Sequence, residues 1–197
     1  MSKNHRKIER IFCADEDWQA NACLNGSHDS IDLFAIGYKK SGDRLVKYIV
    51  EKTYDQDVMV YPILFLYRHY IELRLKEIIR EGRILLKDGD SFPKHHKIID
   101  LWNTAKAIAI SAFENEPEPL DLNHAEHVIV EFSQIDSDSL SFRYPESKEG
   151  YNPLEGMTHI NIRRVADHIN ELAKELENIS LGISVYRDLQ EDMWSSI

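Results

Sequence analysis

The densest chemistry in the chain lies in YPILFLYRHYIELRLKEII, residues 61–79. An apolar run there gives way to Arg68, His69, Glu72 and Lys76. Residues 68, 72 and 76 recur at i, i+4 and i+8, which is one stripe of a helix, and His69 lies beside them. Arg68 and Lys76 are each spaced to pair with Glu72, and a carboxylate between two cations stays ionised. Tyr61 and Phe65 continue the stripe backwards, so the cluster is expected in a groove or an interface rather than on an open face. One chemistry that suits it is an Arg68 facing a phosphate, with His69 moving a proton near neutral pH. The plainer alternative is an ion network that orients the fold.

Four further sets of residues invite the same question. Arg163 and His168 are separated by four residues in RRVADH. Five positions along a helix is about 140° around it, so the two would flank an apolar stripe on opposite edges, whereas Arg164 and His168 share an edge. His95 and His96 precede a helix containing Trp102 and are candidates for a second acid–base or phosphate-side group. Arg143 stands between Phe142 and Tyr144, where a guanidinium can hold a phosphate or stack on a base. His124, His127 and Glu131 share one helix face at spacings of three and four, which suits a metal. That face is expected to be solvated and no fourth ligand is evident, so no metal and no cofactor are expected. No Gly-rich phosphate loop, Gly-x-Ser-x-Gly elbow or Cys-x-x-Cys pair occurs.

The pattern YRHYIELRLKEII, then HHKIIDLW at 95–102 and SFRYPESKEG at 141–150, resembles small bacterial HEPN (higher eukaryotes and prokaryotes nucleotide-binding) proteins. The resemblance spans roughly residues 30–180. It implies an all-α, HEPN-like helical bundle, frequently dimeric, of the kind found among toxins and antiphage modules. Many such proteins are metal-independent ribonucleases that use an Arg followed four to six residues later by His. Others are binding or assembly modules. Carried onto this chain, the catalytic residues would be Arg163 and His168, or else Arg68 and His69. Glu72, Lys76, His95, His96 and Arg143 would be binding residues. Three functions follow as expectations: an interaction module that dimerises or docks on a partner from a defence or toxin–antitoxin locus, an endoribonuclease, or a nucleotide or anion binder.

Helices must position these groups. Asp29 or Ser30 is placed to cap a helix running to about Thr53, with Leu33, Phe34, Ile36, Gly37, Leu45, Tyr48 and Ile49 facing inward. A second runs from about Gln56 to Glu81, closed by Gly82, with Pro62 tolerated in its first turns. From Val58 to Tyr67 it is greasy all round and is expected to be buried on every side. Further helices cover about 97–113 and 122–135. Leu140, Phe142 and Tyr144 alternate with Ser141 and Arg143, so 139–145 reads as a short extended segment. A last helix begins near His159. Its stripe is Ile162, Val165, Ala166, Ile169, Leu172, Ala173 and Leu176, and past Gly182 it kinks or restarts. Residues 1–28, ending in the turn-like Asn25-Gly26-Ser27, read as an arm pinned by Phe12 and Trp18, and 29–197 as one domain.

Composition bounds the rest. With 43% hydrophobic residues and only 8 Gly and 6 Pro, the chain suits a helical core rather than a β-sandwich. The net charge of −10 disfavours a sequence-blind nucleic-acid coat. Basic residues nevertheless gather from Arg68 to Lys97, which predicts a local positive surface. Cys13 and Cys23 read as small core residues in a reducing cytoplasm. No apolar run approaches the roughly 18–20 residues of a membrane span.

Overall fold

A computed structural model describes residues 10–24, 30–147 and 149–195. The chain forms two compact units, Met1–Ser30 and Ile31–Ile197. In the first, the described residues hold a single 3-10 turn at Trp18–Ala20. Asn21 closes it locally: its side chain accepts from the Asp15 N–H and donates to the Asp15 carbonyl. Phe12 and Trp18, read as anchors, are 98% and 73% exposed. Cys13 and Cys23 are exposed thiols rather than core residues. Asn25, Gly26, Ser27 and Asp29 lie outside the described residues.

Five α-helices follow: α1 (Ser30–Lys52), α2 (Gln56–Leu85), α3 (Ile98–Ala112), α4 (Asn123–Ile135) and α5 (Ile162–Ser195). No strand occurs among the described residues. None of the helices is long and apolar enough to cross a membrane. α2 is the axis of an all-α bundle and packs most extensively on α3 and α5. From Ile63 onward its side chains are buried on several faces, including Ile63, Tyr67, Ile71, Leu75, Ile78 and Ile79. Ile169, Leu172, Leu176 and Ile183 of α5 complete this core. Each such aliphatic side chain, removed from water, contributes about 1.5–3 kcal/mol.

Several sequence expectations need correction. Val58 and Tyr61 are exposed, so the first two turns of α2 are not buried on every side. α1 turns Ala35, Gly42, Val46 and Ile49 inward, while Leu33, Phe34 and Gly37 face out. The reason is contact: a Cβ on Gly42 would lie 2.7 Å from the Tyr67 ring, so α1 approaches α2 at this glycine. Gly82 does not end α2. It is buried inside the helix, and a Cβ there would collide with the Ile108 side chain of α3. Gly182 likewise admits the Phe113 ring within α5, which runs 34 residues, or about 51 Å, without a restart. Its start is fixed by Asn161, whose side chain accepts from the Arg164 N–H.

The predicted extended segment is instead a turn. Asp136 Oδ1 accepts from the N–H groups of Leu140 (2.7 Å) and Ser141 (3.0 Å). The N–H groups of Arg143 and Tyr144 then return to the Leu140 carbonyl. Seven residues with no strand beside them have no ladder to join, and a capped helical turn satisfies the same amides.

Candidate functional site

Arg68 is fully buried. Its Nη1 donates to Glu72 Oε2 at 2.6 Å, and its Nη2 donates to the His96 carbonyl at 2.5 Å. Weaker bonds reach the carbonyls of Asp136 and Ser137, and Nε lies 3.5 Å from Asp136 Oδ2. Glu72 Oε1 takes the Lys76 ammonium and His96 Nδ1, both at 2.8 Å. Burial by itself would raise the Glu72 carboxyl pKa. The hydrogen bonds from Lys76 and His96, with the charges of Lys76 and Arg68, outweigh it and hold the group below its ordinary value. The i, i+4, i+8 stripe is thus a closed network tying α2 to the entry of α3 and the exit of α4. The expected positive surface does not form from it: Arg68, Arg74 and Lys76 are all buried and ion-paired. His95 contributes only its ring Nδ1, which accepts from the Lys97 N–H.

His69 points away from this network. Its ring stacks on Phe65 at 5.8 Å and meets Tyr38 edge-on at 4.4 Å. Burial lowers its pKa, and the charges of Arg68, Lys76 and His96 act in the same direction against that of Glu72. Arg68 and His69, adjacent in sequence, therefore face different surroundings and do not converge on one ligand position.

Arg143 has a different setting. The turn that bears it is capped by Asp136, the residue Arg68 holds from the other side. Arg143 Nε donates to the Ser139 carbonyl at 2.5 Å. Its guanidinium carbon lies 5.6 Å from the centre of the Phe65 ring and 5.7 Å from that of Tyr144, so both rings steady the cation. It lines a cleft of about 760 Å³ between the start of α2 and residues 141–162, together with Tyr61, Asn152 and His159. The terminal nitrogens of Arg143 make no hydrogen bond among the described residues.

Arg163 and His168 do not form a pair: no hydrogen bond or ion pair joins them, and Arg163 is exposed. His168 turns instead to α4, where its Nδ1 lies 3.2 Å from His124 Nε2. His124 also meets Glu175 through Nδ1 at 2.8 Å and Glu171 through Nε2 at 3.2 Å. His168 thus stands beside Glu171 and a histidine that meets two carboxylates, which is unfavourable ground for a phosphodiester.

No family model, curated protein or solved structure matches the chain.

The sequence reading grouped His124 with His127 and Glu131 of its own helix. The last two do pair with each other, at 3.2 Å. The partners that matter to His124 lie 44 to 51 residues further on, in α5. The residues at 168, 171 and 175 share a face at spacings of three and four, which is a legible signal within α5, but nothing local says that His124 meets it. Asp136 was missed for a similar reason, since its role depends on Arg68 arriving from 68 residues earlier.

Proposed function

We propose that the chain is a HEPN-like interaction and assembly module of a bacterial defence or toxin–antitoxin system, working as a homodimer rather than as a ribonuclease. The observation that carries this reading is an apolar ridge on the outer face of α5. Leu181, Val185, Leu189 and Met193 recur every fourth residue and are all exposed, three of them by more than half. Rows at i±4n are those that interdigitate when two helices cross, and a single row meets its own copy about a two-fold axis. Against catalysis stand the two Arg–His pairs. Arg68 is occupied by Glu72, Asp136 and backbone carbonyls, and His168 is turned toward Glu171 and His124. Placement in a defence system rests on the resemblance of residues 61–79, 95–102 and 141–150 to HEPN proteins.

Light scattering on the full chain tests the assembly. A dimer is expected for the wild type, and a monomer with unchanged helical circular dichroism for Val185→Glu/Leu189→Glu. A wild-type chain that stays monomeric at every concentration, or that cleaves RNA in the presence of EDTA, overturns the reading. A second reading, an anion-binding module, is favoured by Arg143, which lines the cleft and whose guanidinium lies near the Phe65 and Tyr144 rings.

A further inference from the structure

Two imidazoles whose ring nitrogens lie 3.2 Å apart present a problem of hydrogens. If both nitrogens carry one, they repel; if neither does, two lone pairs oppose. Glu175 decides the tautomer. At 2.8 Å from His124 Nδ1 it accepts the hydrogen of that nitrogen, and in the neutral ring this leaves Nε2 as the free lone pair. That lone pair faces His168 Nδ1 and Glu171 Oε2, each at 3.2 Å. These three atoms, from two helices, all lie within 4.8 Å of one another.

The two separations from His124 Nε2 are those of ligands around a small cation. A tetrahedral centre with bonds of about 2.0–2.1 Å sets neighbouring ligand atoms about 3.3–3.4 Å apart. The second shell is present as well: a carboxylate behind a ligating histidine fixes the ring and its tautomer and raises its basicity. The other oxygen of Glu175 is buried and has no hydrogen-bond partner among the described residues, so its one hydrogen bond there is to His124. The ligands are also well anchored, because Leu172 and Leu176, on the turns that carry Glu171 and Glu175, are fully buried.

We propose that His124, His168 and Glu171 form a binding site for a divalent transition-metal ion of the Zn2+ and Co2+ class, with Glu175 as the positioning residue for His124. Two imidazoles and one carboxylate suit such ions, whereas Mg2+ and Ca2+ prefer oxygen ligands throughout. Three protein ligands leave a coordination position open to water or to a group from another molecule. The site is independent of the assembly reading, since it uses no residue of the α5 ridge.

Titration of Co2+ into the full chain, followed by visible absorption, tests the site. One equivalent is expected to give the intense bands of a low-symmetry, four- or five-coordinate ion, with displacement by Zn2+ and a Zn2+-dependent rise in melting temperature. His168→Ala and Glu171→Gln should each weaken binding at least about tenfold. Glu175→Gln should weaken it about 10- to 100-fold while preserving the shape of the spectrum. His127→Ala should leave affinity unchanged. Glu171 is solvent-facing, so its variant reports on the ion without endangering the fold. Absence of both the absorption and the melting shift in the wild type overturns the proposal, and so does undiminished binding in His168→Ala and Glu171→Gln.

Discussion

The cluster around Glu72 and the cluster around His124 both join carboxylates to histidines from distant parts of the chain, in opposite surroundings. Around Glu72 the acid is 1% exposed, and each of its oxygens meets a donor from Arg68, Lys76 or His96. Around His124 the acids are partly open to water, and two imidazole nitrogens and a carboxylate oxygen converge with no Arg or Lys among them. In the first cluster both oxygens of the acid are already taken. The second gathers three metal-ligating side chains at one point. What separates the two is burial and the cations Arg68 and Lys76, which the first holds and the second lacks.

Substitution of the two acids should separate the clusters most sharply. Glu72→Ala strands two buried cations and is expected to cost about 3–5 kcal/mol in urea denaturation. Glu171→Gln without metal should change stability by no more than about 0.5 kcal/mol. Equal losses would erase the distinction. Asp136→Ala is expected to cost about 2 kcal/mol, because it removes the acceptor for two turn amides and a partner of Arg68. Chemical shifts of the Arg143 side chain should move with it, and an unmoved Arg143 would show that Asp136 does not set the turn.

A smaller effect concerns pH. His69 in the folded chain takes up its proton at lower pH than the ordinary imidazole value of about 6.5, because burial disfavours the cation. Below that value the unfolded chain holds more protons, so stability falls as pH drops. Glu72 acts lower down: its depressed pKa stabilises the fold above the ordinary carboxylate value, and that contribution is lost as pH falls through the folded value. His69→Gln should therefore flatten the stability profile just below pH ~6.5 and leave the acid limb intact. An unaltered slope in that window would contradict the burial of His69.

Periodicity made much of the architecture legible. The α5 stripe from Ile162 to Leu176 is buried as its spacing predicts, and the i, i+4 pairing of Glu72 with Arg68 and Lys76 is present. Local pattern failed where a distant surface decided the outcome. Gly82 carries the signature of a helix stop, yet it marks where Ile108 needs room. Leu33 and Phe34 are apolar, yet Gly42 sets which side of α1 meets Tyr67. The alternation of Leu140, Phe142 and Tyr144 suits a strand, yet the carboxylate of Asp136 captures the amides first. For His124, the partner helix supplies all of the chemistry.

The turn bearing Arg143 is hung from the core through Asp136, whereas the opposite rim, from Asn152 to Ile160, belongs to a surface loop. Ligand preference in this cleft is therefore divided between a fixed cation and a replaceable rim. Redesign of Asn152, Leu154, Thr158 or His159 would alter what the cleft admits while the guanidinium keeps its place, which makes this loop the natural point at which to engineer selectivity.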